Sequence, residues 1–312
     1  MKTNKNGAIS KMYFGLPYIG SKNFIAKWVC DILPNANTLY DLFCGGGAIT
    51  HCASLNRKYN NYIVNDLNSL CIKGLKMAFN GEFKNEKRWI SREEFFKLKD
   101  TDYYVACCFS FSNDFKSYAY NREIEQFKKA MYYSVIFNDN SLLSEFINID
   151  NLNYTSDNIQ DRMIYFRKYL HNFTVFKDKW IKLQNLRGLT WLQPLSRLQR
   201  LENLERLQRL NNLPKDNIKF YSDDYQNIPL TDKDAVIYCD IPYINTRKYK
   251  HSFDYERFYL WAEKQEVPVY ISEYEMPKDR FICIAEKEKI CTFSPTANKI
   301  TVERIFRPRA QL

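Results

Sequence analysis

Residues 38–47, with the sequence TLYDLFCGGG, decide which fold this chain adopts. The apolar run 38–44 is typical of a short buried strand. Three of the nine glycines in the chain follow at 45–47, and residues 48–53 then begin a helical pattern. Glycine concentrated at one point marks a sharp bend or a close approach of backbone to a ligand. Strand, glycine bend and helix together predict the first half of a nucleotide-binding βαβ unit.

A second apolar strand is predicted at residues 62–65, and it ends at Asp66. Nucleotide-binding sheets of this kind place a carboxylate on the ribose hydroxyls about 20 residues past the glycine bend, which is where Asp66 lies. The other acid, Asp41 inside the first strand, repels a pyrophosphate and attracts a cationic group. The pattern therefore favours a zwitterionic or sulfonium-bearing nucleoside over NAD. A plain tight turn followed by a surface aspartate is the alternative interpretation.

A third predicted strand, residues 235–239, ends in the sequence DIPY at 240–243. Ligands of open α/β sheets bind outside the carboxyl ends of the strands, so this corner is expected to share an edge with the glycine bend. Its carboxylate accepts hydrogen bonds, its proline stiffens the turn and its tyrosine offers a stacking face. Such a corner suits an exocyclic amine on a flat base. The alternative is a strand-to-loop turn with a buried tyrosine.

With these segments the chain resembles the Dam-type (D12 class) DNA adenine N6-methyltransferases. The similar segments are 17–22 (PYIGSK), 41–47 (DLFCGGG), 65–66 (ND), 220–225 (FYSDDY) and 240–243 (DIPY). The resemblance implies an α/β fold: a Rossmann-like doubly wound methyltransferase sheet with a mostly helical inserted target-recognition domain. It implies a catalytic domain that uses S-adenosylmethionine at residues 1–80 and 215–312, and the inserted domain at 81–214.

The resemblance also implies a role for individual residues. The residues that would bind S-adenosylmethionine are Tyr18, Lys22, Asp41, Phe43, Gly45, Gly47, Asp66, Asp224 and Tyr225. The catalytic residues would be Asp240, Ile241, Pro242 and Tyr243. The implied reaction is methyl transfer to N6 of an adenine that has left the DNA stack. Tyr243 would stack on the base, while the Asp240 carboxylate and the Ile241 carbonyl would accept the two N6 hydrogens.

One position departs from the family pattern, because Ile241 stands where the family has a proline. The main-chain carbonyl is retained, but the restraint that proline places on φ is lost. A catalytically silent DNA-binding relative therefore remains an alternative, as does a methyltransferase that acts on RNA adenine or on protein glutamine. An NAD-dependent oxidoreductase is disfavoured by Asp41.

Composition limits the class of protein and its partners. The 312 residues suggest about two domains. A hydrophobic fraction of 45% and a charged fraction of 26% exclude disordered, collagen-like and low-complexity chains. The net charge of +10 favours a polyanionic partner, and double-stranded DNA is the partner expected here.

The nine cysteines include no CxxC pair, and the chain has only three histidines, so no metal site is predicted. Free thiols indicate a reducing compartment. The polar N-terminus has no secretory pattern, and no apolar run reaches the ~20 residues of a membrane span. We therefore expect a cytoplasmic protein without a membrane association, monomeric in solution.

The middle of the chain, residues 81–214, interrupts the α/β pattern. It interleaves aromatic with basic residues at 109–122, which suits backbone contacts and wedging or stacking at bases, or else an ordinary aromatic core. Leucine recurs at every third position from Leu183 to Leu213. This period predicts a 3₁₀-helix, with an α-helix kinked near Pro194 as the alternative. The sequence leaves open the target site and whether methylation would serve restriction–modification, phage self-protection or regulation.

Overall fold

The structure is a computed structural model that describes residues 14–18, 20–171, 217–244, 253–290 and 300–312. The leucine repeat at 183–213, and with it the predicted 3₁₀-helix, lies outside the described residues. Contacts divide the chain into two compact units. The first comprises Met1–Leu16, Gly20–Asn80 and Leu210–Leu312, and the second comprises Pro17–Ile19 and Gly81–Arg209.

The first unit contains a seven-stranded sheet and four of the described α-helices. Its strands are β1 (Thr38–Asp41), β2 (Asn61–Asn65), β3 (Ile218–Tyr221), β4 (Ala235–Cys239), β5 (Val269–Glu273), β6 (Phe281–Ile290) and β7 (Ile300–Pro308). Its helices are α1 (Ala26–Ile32), α2 (Ala48–Leu55), α3 (Ser69–Asn80) and α8 (Tyr255–Glu263).

The strands lie in the order β3-β2-β1-β4-β5-β7-β6. Strands β1 to β5 pair in parallel, and β7 runs antiparallel to both β5 and β6. The chain passes outward from β1 to β3 and then returns to the other side of β1 as β4. The point where the order reverses, which is where such sheets bind ligands, therefore lies between β1 and β4. This arrangement confirms the predicted α/β doubly wound sheet.

Burial explains why these segments form the centre of the sheet. Every residue of β1, β4 and β5 is buried, as expected for parallel strands that are covered on both faces. Strand β1 is shorter than the predicted run 38–44. The backbone N–H of Leu42 still donates to the Tyr238 carbonyl (3.1 Å), but that of Cys44 donates to the Asn65 carbonyl (2.9 Å). The chain thus leaves the β1 direction after Asp41 and enters the glycine bend.

The second unit contains the other four described α-helices. These are α4 (Arg92–Leu98), α5 (Tyr103–Phe109), α6 (Glu125–Phe137) and α7 (Ile159–His171). Ser91 and Glu94 form a capping box at the start of α4, and the Asp102 side chain caps α5. Phe95, Phe109 and further aromatic side chains are buried among these helices.

Candidate active site

The backbone of the glycine bend places it against β2 and α2. Gly45 and Gly47 have positive φ angles of 49° and 69°, which L side chains rarely adopt. A Cβ at Gly47 would lie 2.8 Å from a methyl carbon of Leu75, so that side chain would have to move to admit it. Gly47 is also the residue that immediately precedes α2. The first turn of α2 therefore starts at the carboxyl edge of β1.

The residues just before the segment 17–22 also pack on this bend. The backbone N–H of Leu16 donates to the Gly46 carbonyl (2.6 Å), and that of Gly15 donates to Nδ1 of His51 (2.7 Å). Gly15 has a φ of 68°, and a Cβ there would lie 2.6 Å from the Gly46 carbonyl oxygen. The backbone of Gly15 and Leu16 is thus held against the bend and the start of α2.

The two acids predicted beside the bend accept hydrogen bonds from the chain itself. Asp66 accepts from the backbone N–H of Gly45 (2.7 Å) and of Asn68 (2.8 Å). Burial raises the pKa of Asp66, while these two N–H groups lower it. The carboxylate therefore fastens the bend to the end of β2 and, with two lone pairs per oxygen, retains capacity for further donors.

Asp41 is almost fully buried. Its Oδ2 accepts from the Thr50 hydroxyl (2.7 Å) and backbone N–H (3.3 Å), and its Oδ1 has no hydrogen-bond partner within the described residues. Burial raises the pKa of Asp41 to about 7, with a smaller contribution from the nearby Asp240 and against the two hydrogen bonds from Thr50. Asp41 thus holds the start of α2 and adds partial negative charge beside the bend.

The acidic corner after β4 is organised by a buried lysine. Lys22 Nζ lies 2.7 Å from Asp240 Oδ1 and 3.2 Å from Glu303 Oε1. It also lies over the ring of Tyr243, 4.4 Å from its centroid. Burial opposes the charged form of Lys22, but the two carboxylates outweigh it and raise its pKa. The ammonium is therefore the cation that joins Asp240 to Glu303 of β7.

Tyr243 is held at its hydroxyl and at its ring. The hydroxyl donates to Oε1 of Glu303. Burial and the charges of Asp240 and Glu303 raise the pKa of Tyr243 well above its usual range, so it stays protonated as a donor. Its ring packs perpendicular to that of Tyr274, with centroids 4.6 Å apart. The ring orientation is thus set by two residues from β7 and the end of β5.

Glu273, the last residue of β5, fixes the chain that follows the corner. Its carboxylate accepts from the backbone N–H of Ile244 (3.0 Å) and of Tyr274 (2.6 Å). Burial raises the pKa of Glu273 to about 7, although these two bonds lower it. The Pro242 carbonyl accepts from the Tyr255 hydroxyl (2.9 Å). Backbone groups on both sides of Tyr243 are therefore fastened.

Ile241, which stands at the proline position, is 2% exposed and belongs to the hydrophobic cluster of the sheet. The same cluster includes Ile271 of β5 and Phe258 of α8. Its side chain is therefore anchored by packing, which restrains the local backbone by a different means from a proline ring.

The remaining predicted cofactor residues of this unit lie around an aromatic cluster. Phe43 packs against Tyr225, with ring centroids 5.3 Å apart, and Tyr225 packs against Trp261 at 4.9 Å. Asp224 caps a short 3₁₀ turn and pairs with Arg257 (3.1 Å). Tyr225 is buried, so its ring packs against Phe43 from the interior of the protein. Asp224 and Phe43 are only partly buried.

Tyr18, by contrast, falls in the second unit. Its ring contacts that of Phe115, with centroids 5.8 Å apart. The other twelve predicted site residues all belong to the first unit.

The described residues include neither a metal-binding cluster nor a membrane-spanning helix. They contain no group of three histidine, cysteine or acidic side chains placed to hold a metal ion. Among the same residues, no helix is long and apolar enough to cross a membrane.

The fold and the site define an α/β protein with a nucleotide-binding type of switch point, where a glycine bend and an acidic corner follow neighbouring strands. Residues 18–274 match the model of the D12 class N6 adenine-specific DNA methyltransferase family. The match covers more than half of the chain, and the chain belongs to this family. The resemblance drawn from the sequence is thereby confirmed. The comparison with curated proteins found no match.

Proposed function

We propose that this protein transfers a methyl group from S-adenosylmethionine to N6 of an adenine flipped out of double-stranded DNA, at a defined target sequence. One observation carries the proposal: the glycine bend and the DIPY corner start side by side, because the N–H of Leu42 bonds the carbonyl of Tyr238 across β1 and β4. Family membership supports the substrate class. The proposal places the protein in the cytoplasm as a monomer.

The residues around the glycine bend fit a cationic nucleoside. When bound, S-adenosylmethionine supplies a methyl group on a positively charged sulfur. Asp41 and Asp66 lie beside the bend and Asp240 follows the neighbouring strand, and in the proposed role these carboxyl groups favour a cation. Asp66 would accept the ribose hydroxyls with its remaining lone pairs. Phe43 and Asp224 would line the adenine side, with Tyr225 packed beneath them.

The residues of the DIPY corner fit an exocyclic amine. In the proposed role the Asp240 carboxylate and the Ile241 carbonyl accept its two hydrogens, which concentrates electron density on the nitrogen. Tyr243 offers its ring to the base, and Pro242 stiffens the turn between them. These groups act by alignment and electrostatics. Because N6 is paired inside a duplex, the base has to leave the stack before these contacts form.

The second unit supplies a loop suited to DNA. Of the aromatic residues noted there, Phe109 and Tyr118 are buried and serve the core, whereas Phe111 is 62% exposed. Asn113 and Phe115 both have positive φ angles, which is a strained conformation for the bulky Phe115. Lys116 is exposed on the same loop. We propose that this unit is the target-recognition domain, with Phe111 at the bases and Lys116 at phosphate.

Radiolabel transfer tests the proposal. S-adenosylmethionine with a tritiated methyl group is incubated with duplex DNA, with RNA and with protein in separate reactions, and the labelled nucleosides are identified by mass. We expect label in DNA as N6-methyladenine. Label in RNA or protein alone would establish a different substrate. DNA binding without label in any reaction would establish the catalytically silent alternative.

A further inference from the structure

Glu303 is a buried carboxylate that neither the predicted site nor the family match includes. The matched residues end at 274, and Glu303 lies in β7. It is 0% exposed. Because β7 runs antiparallel to β5, the early part of β7 lies at the carboxyl edge of the parallel strands. The pair Glu273–Arg304 in the register places Glu303 one residue beyond the end of β5, at the edge that carries Asp240.

The Lys22 ammonium occupies the contacts that the proposed base amine needs. It lies on the face of the Tyr243 ring and 2.7 Å from the Asp240 carboxylate. In the proposed function a flat base stacks on that ring and donates to that carboxylate. The ammonium and the base amine therefore compete for the same two partners.

Glu303 is the second carboxylate within reach of the same ammonium. Its Oε1 lies 3.2 Å from Lys22 Nζ and also accepts from the Tyr243 hydroxyl. A lysine displaced from Asp240 can therefore keep a charge partner without leaving the buried site. Without Glu303 the same displacement leaves a buried ammonium unpaired, which is strongly unfavourable.

We propose that Glu303 is a positioning residue of the methyl-transfer site, which receives the Lys22 ammonium when the target base takes its place on Asp240 and Tyr243. The inference rests on the proposed function and assigns a role to a residue outside the matched family segment. Glu303 acts through Lys22 and Tyr243, and it touches neither base nor cofactor.

Single-turnover transfer of a tritiated methyl group to plasmid DNA free of N6-methyladenine tests this role. In Glu303→Gln, Lys22 retains Asp240 as its carboxylate partner, so base entry becomes harder. We expect transfer to slow by about tenfold or more, while the affinity for S-adenosylmethionine, measured by calorimetry, stays within about twofold. Glu303→Asp keeps the charge and is expected to recover most of the rate. Glu286→Gln, an exposed carboxylate on β6 paired with Arg304, is the matched control and is expected to leave the rate unchanged.

The double variant Lys22→Met with Glu303→Gln separates this role from a structural one. It removes the competing ammonium, so at saturating S-adenosylmethionine, which compensates for any loss of cofactor affinity caused by the change at Lys22, we expect faster transfer than in Glu303→Gln alone. A double variant as slow as Glu303→Gln, or slower, overturns the proposal, and so does a Glu303→Gln rate within about twofold of wild type. Thermal melting identifies a variant that fails to fold, and Glu303→Asp then carries the comparison against wild type. Absence of transfer by the wild-type chain overturns the proposed function, and this role with it.

Discussion

The glycine bend after β1 and the acidic corner after β4 lie at the same edge of the sheet but are stabilised in different ways. The bend depends on backbone: positive φ at Gly45 and Gly47, and main-chain bonds from Leu16 and Cys44. The corner depends on side-chain charge: a buried lysine shared by two carboxylates. The difference teaches that the fold of the bend should be sensitive to steric changes and that the chemistry of the corner should be sensitive to changes of charge. The following predictions test the roles assigned to the residues of the two sites.

Replacement of Asp240 by alanine should have the largest effect. It removes the proposed acceptor of the amine and a charge partner of Lys22. We expect the turnover number to fall by about 10²–10³-fold or more, with S-adenosylmethionine binding largely intact. Steady-state transfer and calorimetry measure the two quantities. Asp279→Ala, an exposed aspartate of the same unit, serves as control. Retained turnover in Asp240→Ala would remove this residue from the mechanism.

A matched glycine pair tests the steric nature of the bend. Gly15 and Gly20 have similar φ angles of 68° and 76°, but only at Gly15 would a Cβ meet backbone atoms, whereas at Gly20 nothing lies within 4 Å. We expect Gly15→Ala to lower the free energy of unfolding by about 2–3 kcal/mol and Gly20→Ala by about 1 kcal/mol. Denaturant titration measures both. Equal losses would show that the approach of Gly15 to the bend is unimportant.

Asp66→Ala should distinguish binding from chemistry. Asp66 fastens Gly45 and, in the proposed role, holds the ribose. We expect affinity for S-adenosylmethionine to fall by roughly 10–100-fold, while the turnover number at saturating cofactor stays close to wild type. Kinetics over a range of cofactor concentrations give both values. A turnover number lost as completely as in Asp240→Ala would contradict the assignment of cofactor binding to the glycine bend and of chemistry to the DIPY corner.

Asp41→Asn should change how stability depends on pH. The folded pKa of Asp41 is about 7, above its ordinary value of 3.8. The folded state therefore binds the proton more tightly, and this contribution to stability is complete below pH 3.8 and lost as pH rises through 7. The asparagine variant lacks this dependence. From pH 5 to pH 8 we expect its stability to gain about 2–3 kcal/mol relative to wild type. An unchanged difference between the two proteins would contradict the raised pKa.

The sequence was sufficient for the parts of the site that depend on neighbouring residues. Strand, glycine bend and helix follow one another within residues 38–55, so their local pattern predicted them. The strand ends at Asp66 and Asp240 were predicted to share an edge because parallel strands place their carboxyl ends together. The sheet order confirms that reasoning.

The sequence was insufficient for parts that depend on distant contacts. Glu303 lies near the start of the antiparallel strand β7. The rule that site residues follow the carboxyl ends of parallel strands does not predict a residue in that position. Lys22 was expected at the cofactor, and its contacts with Asp240 and Glu303 join distant parts of the sequence that no local pattern connects. Tyr225 was predicted at the cofactor from its segment alone, and its burial in an aromatic cluster follows from packing against α8.

The most direct test is a crystal structure with sinefungin, an analogue of S-adenosylmethionine that carries an amine in place of the reactive methyl group. We predict that its ribose contacts Asp66 and that its amine lies within roughly 6 Å of the Asp240 carboxylate, the distance that one hydrogen bond and one near-attack contact span. An analogue bound away from the switch point between β1 and β4, or with its amine directed away from Asp240, would contradict the account.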